Sequence, residues 1–210
     1  MIAICDYDAG NIMSVQKACA FLGYEYTLTR DRETILSADH VILPGVGSFG
    51  DAMEKLDSYA LIGVLKEVAK RNIPLLGICL GLQLLFQNSE ESPGVDGLGL
   101  IPGSIIKIPD ENGKRKIPHM GWNSLSFPVK GRLFEGIEEG SEVYFVHSYY
   151  LPLTAEGAGM QKPEYLITAA ADYGVEIGAS IEKDNVFGCQ FHPEKSGRRG
   201  LKILENFLKV

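Results

Sequence analysis

A short segment of the chain, Gly77–Gly81, holds a cysteine where an exposed nucleophile could be built. It reads Gly-Ile-Cys-Leu-Gly, with an apolar, strand-like run before it and a helix-like run after it. A nucleophile between two glycines at a strand-to-helix turn is typical of an elbow that lifts its side chain to the carboxyl edge of a sheet. The positive end of the helix would favour the thiolate of Cys79. The pentapeptide alone fits equally well a small buried residue, which is how free cysteines commonly pack.

A thiolate nucleophile needs a base, and a third group must orient that base. His192 is followed by Pro193 and Glu194, so a carboxylate lies two residues downstream of this histidine. Pro193 favours extended backbone at His192, where residues i and i+2 point to the same side. Glu194 could then fix the tautomer of the ring and leave the other nitrogen for Cys79. A residue that merely ends a strand is the alternative for His192. The histidines without such a neighbour are His40, His119 and His147.

Cys189 is a second candidate nucleophile because it lies closer to His192 in the sequence. Three residues is an odd offset along a strand, so the two side chains would face opposite sides. Cys189 also lies in the core-like run "VFGCQF", and Cys5 and Cys19 lie on apolar faces. The four cysteines show no CxxC pair and no metal-type spacing, which indicates a reduced, cytosolic protein without a metal site.

Acyl transfer from a carboxamide also needs donors for the developing oxyanion. One donor should be the backbone N–H of Leu80, directly after the nucleophile. The loop Leu43–Asp51, "LPGVGSFGD", could supply the second from Val46 or Gly47, because its glycines let backbone amides approach a ligand closely. A plain turn after a strand is the alternative for this loop.

The elements that must position these groups can be predicted from apolar periodicity. The first half alternates strand-like runs such as Ile2–Cys5 with helix-like runs, which predicts a parallel sheet covered on both faces. From Pro93 on, short alternating strands follow, with a hairpin turn at Asp184–Asn185 and a C-terminal helix. We therefore predict an α/β fold of three layers. Its mostly parallel central sheet has helices on both faces, and a small antiparallel region is added in the second half, all in a single domain over residues 1–210.

Two stretches are assigned as helical from their apolar pattern. Residues 51–71, "DAMEKLDSYALIGVLKEVAKR", are amphipathic with basic residues late, and residues 80–89, "LGLQLLFQNS", follow the cysteine. The stretch Pro152–Pro163 is the least organised part of the chain and is expected to be a surface loop.

Charge and composition argue against several classes of function. A net charge of −7 gives no support for a nucleic-acid or anionic-membrane surface. The nearest basic patch, Lys114–Lys116, follows two acidic residues and is interpreted as a solvated turn. No apolar run reaches transmembrane length, and the N-terminus lacks the pattern of a secretory signal.

Three longer segments resemble the signatures of a known enzyme class. "PGVGSFGDAM", "GICLGLQLLF" and "GCQFHPEKS" resemble the three signature segments of class I (triad) glutamine amidotransferases. Within that class, "MGWN", "YFVHSYY" and "FHPEKS" followed by "GLKILENF" are similar to the glutaminase subunits that serve imidazole glycerol phosphate synthases. The resemblance covers essentially the whole chain, and it implies a flavodoxin-like sheet and one glutaminase domain.

The resemblance implies a role for each matching position, without a cofactor. Cys79 would attack the γ-carboxamide of glutamine to form a glutamyl thioester, His192 would move the protons, and Glu194 would orient His192. The oxyanion would be held by backbone N–H groups of Val46, Gly47 and Leu80. Substrate-binding positions would be Gly45, Gln83, Glu91, Ser148 and Tyr149. Positions at a partner interface or gate would be Asn11, Trp122, Tyr144 and Lys195, although Trp122 could also be a core aromatic and Lys195 a solvated lysine.

The implied partner is a (β/α)8-barrel cyclase subunit that docks over the glutaminase site and conducts ammonia through its interior. There ammonia would convert a ribulosyl aminoimidazole-carboxamide ribonucleotide into imidazole glycerol phosphate and AICAR. Three alternatives stay open at this point. They are the glutaminase component of anthranilate or aminodeoxychorismate synthesis, a stand-alone cysteine γ-glutamyl hydrolase, and a non-catalytic binding or redox module.

Overall fold

The structure, a computed structural model, describes residues 1–113, 115–153 and 164–210. Most of the predicted loop Pro152–Pro163, from residue 154 on, lies outside the described residues, and so does Lys114. The helices are α1 (Ile12–Phe21), α2 (Arg32–Leu36), α3 (Phe49–Ser58), α4 (Leu61–Lys70), α5 (Leu80–Leu84) and α6 (Gly197–Phe207). In the described residues, no helix is both long and apolar enough to cross a membrane.

Twelve strands are described, in two sheets. They are β1 (Ile2–Cys5), β2 (Tyr26–Thr29), β3 (His40–Leu43), β4 (Leu75–Ile78), β5 (Asn88–Ser89), β6 (Ser104–Lys107), β7 (His119–Ser124), β8 (Glu142–His147), β9 (Tyr149–Pro152), β10 (Leu166–Asp172), β11 (Glu176–Lys183) and β12 (Val186–Cys189). The predicted hairpin turn between β11 and β12 is confirmed, and Asp184 adopts the positive φ (52°) that such a turn requires.

The large sheet has the order β2-β1-β3-β4-β12-β11-β9-β6-β5, with β10 paired to β11. Its first five strands run parallel, which confirms the predicted parallel region. The pairs of β11 with β12, β10 and β9 are antiparallel, and β7 and β8 form a separate antiparallel pair. This separate pair and the antiparallel strands at one side of the large sheet match the antiparallel region predicted for the second half.

The parallel strands are buried on both faces, as their continuous apolar runs predict. Alternate residues of a strand enter two different cores: Leu75 belongs to one cluster and Leu76 to the other. Side chains of α2, α3 and α4 pack into the first cluster, and those of α1 and α6 pack into the second. The predicted three-layer arrangement is therefore confirmed.

The helical assignment of residues 51–71 is wrong in one respect, because two helices occupy this stretch. Ala60 separates α3 from α4 with a left-handed φ of 55°. The buried positions of α3 end with Leu56 and those of α4 begin with Leu61, a spacing of five residues that no single straight helix keeps on one face. The chain must turn at Ala60 so that both apolar faces reach the core.

Two further local predictions need correction, and one helix was not predicted. Helix α5 ends at Leu84, so the predicted helix over residues 80–89 is too long, and residues 88–89 form β5 instead. Helix α2 was not predicted. Arg115 does not lie in a solvated turn: its side chain is only 7% exposed and donates to Glu111 Oε1 (2.7 Å) and to the carbonyl oxygen of Gly174 (2.8 Å).

Candidate active site

Cys79 lies on a sharp turn between β4 and α5, as the sequence predicts. Its backbone has φ 55° and ψ −109°, a strained conformation for a residue with a side chain. The flanking glycines are needed for close packing of backbone. A Cβ on Gly77 would lie 2.6 Å from the carbonyl oxygen of Gly81, and a Cβ on Gly81 would overlap the carbonyl oxygen of Leu43. The turn therefore depends on both glycines.

Strand order brings the second catalytic segment to the same edge of the sheet. Strand β12 lies parallel beside β4, with Cys189 opposite Ile78, so the chain after each strand emerges at the same carboxyl edge. The backbone N–H of Cys79 donates to the carbonyl oxygen of Cys189 (2.7 Å), which joins the two strand ends directly. His192 follows β12 by three residues and is thereby placed beside the elbow.

His192 and Glu194 form the contact that the sequence predicts, but by a different backbone route. The His192 Nδ1 atom lies 2.7 Å from Glu194 Oε1. His192 itself is extended (φ −99°, ψ 95°), whereas Pro193–Lys195 forms a 3₁₀ turn. The tight turn, and not an extended strand, brings the carboxylate back to the ring. The other ring nitrogen, Nε2, is buried and makes no hydrogen bond to any described residue.

The electrostatic surroundings of His192 favour the imidazolium ion. Burial lowers the pKa of His192, but the nearby Cys79 thiol and Glu194 carboxylate outweigh burial and raise the pKa to about 9. A histidine that stays protonated at neutral pH beside a cysteine is the partner that a thiolate nucleophile requires. The three residues therefore have the arrangement of a Cys-His-Glu triad.

Asn11 makes a contact that the sequence did not predict. Its Nδ2 atom donates to Glu194 Oε1 (2.9 Å), and Ser14 Oγ donates to Asn11 Oδ1 (3.0 Å). The Glu194 side chain is fully buried, and its Oε2 atom has no hydrogen-bond partner among the described residues. Asn11 was predicted at a partner interface, and its amide group in fact touches the triad carboxylate.

A cavity of about 320 Å³ opens directly over the thiol. This size is at the lower end for small-molecule sites, which suits a substrate as small as an amino acid. Gly45, a predicted substrate-binding residue, does not line the cavity. It is buried beside Tyr7, whose hydroxyl donates to the carbonyl oxygen of Pro44 (2.7 Å). The lining residues are Val46, Gly47, Cys79, Leu80, Gln83, Glu91, Pro118, Val146, His147, Ser148 and Tyr149.

The three predicted oxyanion residues are among these lining residues. Leu80 is the first residue of α5, where backbone N–H groups have no partner within the helix. Val46 and Gly47 are exposed in the loop after β3, and Gly47 has a φ of 106° that favours glycine. Strand β3 pairs with β4, so this loop and the elbow reach the cavity from neighbouring strand ends.

Gln83 lines the cavity and is hydrogen-bonded to the buried side chain of Gln190. Gln83 Nε2 donates to the carbonyl oxygen of Tyr149 (2.9 Å) and to Gln190 Oε1 (3.0 Å). Gln190 Nε2 lies 3.8 Å from the Cys79 sulfur. The sequence did not identify Gln190, although its position two residues before His192 could have been a signal. Glu91 also lines the cavity and accepts from the backbone N–H of Phe49 (2.8 Å).

Of the four predicted interface residues, Trp122 and Lys195 are exposed, and Asn11 and Tyr144 are half-buried. Trp122 is 55% exposed, so the core alternative for this residue is wrong. Its ring meets that of Tyr144 edge to face, with 6.1 Å between the ring centroids. Lys195 is exposed on the same 3₁₀ turn as Glu194. Their contact with a partner stays a prediction.

The remaining cysteines do not compete with Cys79. Cys189 is fully buried, and burial raises the pKa of its thiol to about 12, so it is unsuited to act as a nucleophile. Cys5 is likewise buried, and burial raises its pKa to about 12. Within the described ranges, no group of three or more His, Cys, Asp or Glu residues could hold a metal ion.

A family model and similar sequences identify the same class of enzyme for this chain. The family model "Glutamine amidotransferase class-I" matches residues 3–210. The chain is 51% identical to "Imidazole glycerol phosphate synthase subunit HisH" of Moorella thermoacetica, with 98% of this chain and 93% of the relative covered. It is 50% identical to the protein of that name from Bacillus cereus (strain G9842), with 100% and 95% covered.

Solved structures with the same fold are more distant in sequence. One described as "Crystal structure of glutamine amidotransferase" has a TM-score of 0.74 at 17% identity and covers 99% of this chain and 97% of its own. The "Trypanosoma brucei CTPS - glutaminase domain with bound acivicin" has a TM-score of 0.68 at 18% identity, with 99% and 93% covered. These two likenesses establish the fold and nothing more.

Proposed function

The chain belongs to the class-I glutamine amidotransferases, and on that premise we propose that it is the glutaminase subunit of an imidazole glycerol phosphate synthase. It hydrolyses glutamine to glutamate and ammonia for histidine biosynthesis. The observation that carries the proposal is the placement of Cys79 on the cavity wall, with the hydrogen-bonded pair of His192 and Glu194 next to it. Relatives about half identical over the full chain support the specific pathway.

The geometry supports a two-step mechanism through a thioester. The Cys79 sulfur attacks the γ-carboxamide carbon of glutamine, and the new oxyanion accepts hydrogen bonds from the N–H of Leu80 and a second backbone donor in the loop after β3. His192 gives its Nε2 proton to the leaving nitrogen, so the C–N bond breaks and ammonia departs. The neutral ring then takes a proton from a water molecule, which attacks the thioester carbon. Glutamate leaves, and the thiolate and the imidazolium ion return.

The side chains around the cavity suit the two ends of the glutamine substrate. Gln83 and Glu91 both line the cavity. The two N–H groups of Gln83 are used by Tyr149 and Gln190, so we assign its amide oxygen, together with the Glu91 carboxylate, as acceptors for the α-amino group. The backbone of Ser148 and Tyr149 forms the wall beside them. Glu91 is already held by the N–H of Phe49, so its carboxylate needs no rearrangement to meet an ammonium group.

The partner in this proposal is a (β/α)8-barrel cyclase subunit that covers the cavity and conducts ammonia to its own site. Exposed Trp122 and Lys195 beside the triad, together with Tyr144, support this face as the docking surface. The relatives that this chain matches over its full length are named as synthase subunits, which supports action in a complex.

The experiment that tests the function is a glutaminase assay with and without the purified cyclase and its nucleotide ligand. We expect weak hydrolysis by the chain alone and strong stimulation in the complex. Cys79→Ser should abolish glutamine hydrolysis, while the complex still makes imidazole glycerol phosphate from added ammonia. Full turnover without a partner would favour a stand-alone hydrolase, and stimulation only by a chorismate-using enzyme would overturn the assignment to this pathway.

A further inference from the structure

Two buried histidines that take no part in the triad face each other across the small sheet. His119 in β7 and His147 in β8 are directly opposite in the strand register. They are 2% and 6% exposed, and His119 Nδ1 lies 3.0 Å from His147 Nε2. His147 also lines the cavity over Cys79. A polar pair at such a depth must satisfy its hydrogen bonds internally.

The direction of every hydrogen bond in this pair follows from one backbone carbonyl. His147 Nδ1 lies 2.9 Å from the carbonyl oxygen of Tyr149, which can only accept, so Nδ1 carries the proton. In the neutral ring His147 Nε2 then accepts, and His119 Nδ1 must donate to it. His119 Nε2 is left to accept from Asn123 Nδ2 (3.3 Å), which also donates to the carbonyl oxygen of Asp172 (2.8 Å).

All four ring nitrogens are therefore partnered when both rings are neutral. Burial lowers the pKa of His119 to about 4. Burial also lowers the pKa of His147 to about 3, with a further lowering from His119 and His192. The His119 ring is stacked between Phe145 and Tyr173, with ring centroids 4.6 and 4.0 Å away. Each ring has one tautomer and one orientation throughout the physiological pH range.

The chain of hydrogen bonds ends on the wall of the cavity. The carbonyl oxygen of Tyr149 accepts from His147 Nδ1 and from Gln83 Nε2, each at 2.9 Å, so both of its lone pairs are used. The carbonyl oxygen of Ser148 accepts from the N–H of Ile108 (2.9 Å). The carbonyl oxygen of Val146 lies 3.7 Å from the Cys79 sulfur. The segment 146–149 is thus held between the histidine pair and the elbow helix.

We propose that His147 is a positioning residue that holds the Ser148–Tyr149 backbone in place to receive the α-substituents of glutamine, and that His119 fixes the tautomer of the His147 ring. The proposal rests on the proposed function and names further residues for that same site. Two apolar side chains of similar volume would fill this space more simply, whereas a fully satisfied polar network selects one geometry. The network contacts the cavity wall through a donor at one defined atom, Nδ1 of His147.

Two amide substitutions at His147 separate positioning from space filling. In His147→Asn, the side-chain amide can occupy the place of Nδ1 and keep the hydrogen bond to the carbonyl oxygen of Tyr149. In His147→Gln, the longer side chain places its amide near the position of Nε2, where it contacts His119 instead of Tyr149. A residue that only fills space would tolerate both amides to the same degree, and His147→Leu removes both hydrogen bonds.

The test is the glutaminase kinetics of these three variants in complex with the cyclase. We expect His147→Leu and His147→Gln to raise KM for glutamine by about tenfold or more, because small displacements of a positioning group cost up to about a hundredfold. His147→Asn should restore KM to within about threefold of the wild-type value. In all variants kcat should change much less than KM. An unchanged KM in His147→Leu, or equal KM values for the Asn and Gln variants, would overturn the proposal.

Two controls separate this result from other failures. Each variant should support the ammonia-dependent synthase reaction at the wild-type rate, which shows that folding and docking are intact. The rate at which a glutamine-analogue inhibitor alkylates Cys79 should level off as the inhibitor concentration rises. The concentration that gives half of the maximal rate should increase in His147→Leu and His147→Gln, and not in His147→Asn. If the wild-type complex did not hydrolyse glutamine, the proposed function itself would fail, which is a different outcome from an altered KM in an active complex.

Discussion

At the scale of single residues, the triad depends on a glutamate side chain that is fully buried. The partners of Glu194 in the described part of the chain are the His192 ring at 2.7 Å and the Asn11 amide at 2.9 Å, both on Oε1. Both hydrogen bonds hold this oxygen in place against the His192 ring. The contact with Glu194 in turn raises the pKa of His192.

The pKa of His192 should depend on Cys79. In the wild-type chain the ring is expected to titrate near pH 9, since interactions with Cys79 and Glu194 outweigh the lowering by burial. Cys79→Ala removes one of the two partners that raise the pKa, so the pKa should fall. NMR titration of histidine-labelled protein measures this change. A value that stays near 9 in Cys79→Ala would show that the thiol does not interact with the ring.

Asn11 should contribute to catalysis through Glu194. Asn11→Ala removes a charge-assisted hydrogen bond of about 1.5–3 kcal/mol, so kcat of the complex should fall about tenfold or more. Ser14→Ala removes only the hydrogen bond that orients Asn11 and should have a smaller effect. Steady-state kinetics with glutamine, and with ammonia as the control substrate, separate this loss from weakened docking. Loss of both activities would assign Asn11 to the interface alone.

At the scale of secondary-structure elements, the elbow depends on how closely α5 approaches the neighbouring strand β3. The backbone of Gly81 lies against the carbonyl of Leu43 with no room for a side chain. Helix α5 has only five residues, so packing and not helix length must hold it. The close approach of α5 to β3 is therefore one of the contacts that fix the geometry of the nucleophile.

Alanine substitutions at two helical glycines should have opposite effects. Gly81→Ala forces α5 away from β3, and we expect a loss of about 1–3 kcal/mol in the free energy of unfolding together with loss of glutaminase activity. Gly63→Ala in α4 meets no atom within 4 Å, so higher helix propensity should stabilise the chain by up to about 1 kcal/mol. Urea unfolding of both variants measures the difference. Equal stabilities would contradict the packing argument.

At the scale of the whole molecule, one edge of the sheet collects every catalytic group. The segments after β1, β3, β4 and β12, which are four neighbouring parallel strands, supply Asn11, the loop at Val46 and Gly47, Cys79 and His192. The carboxyl edge of a parallel sheet is where such folds generally bind their ligands. Trp122 is exposed and contacts Tyr144, whose carbonyl oxygen accepts from the backbone N–H of His192 at this edge.

Partner binding should be visible in the fluorescence of Trp122, which is the only tryptophan in the chain and is 55% exposed. Burial of its indole by a docked cyclase should shift the emission maximum to shorter wavelength in proportion to complex formed. The same measurement with Trp122→Phe gives the fluorescence of any tryptophan in the partner, which is then subtracted. That variant should also bind the cyclase more weakly while leaving hydrolysis by the isolated chain unchanged. Absence of a shift in a complex proven by gel filtration would place the interface elsewhere.

Local sequence pattern determined a large part of this protein. The Gly-Ile-Cys-Leu-Gly elbow, the His192–Glu194 contact, the strand runs and the burial of Cys189 were all predicted, because each depends on neighbours within a few residues. The break at Ala60 was also present in the pattern, as a five-residue spacing between buried leucines. Backbone preferences and apolar periodicity act over this short range.

Tertiary structure alone decided which distant groups meet. That β12 lies parallel beside β4 follows from hydrogen bonding between strands more than a hundred residues apart, for which local periodicity carries no signal. The same pairing puts Gln190 beneath the thiol, while the turn before α1 puts Asn11 against Glu194. The histidine pair is a further case, because its register across β7 and β8 sets which ring nitrogens meet. Residue types defined the chemistry that is available, and the strand order placed those residues within bonding distance.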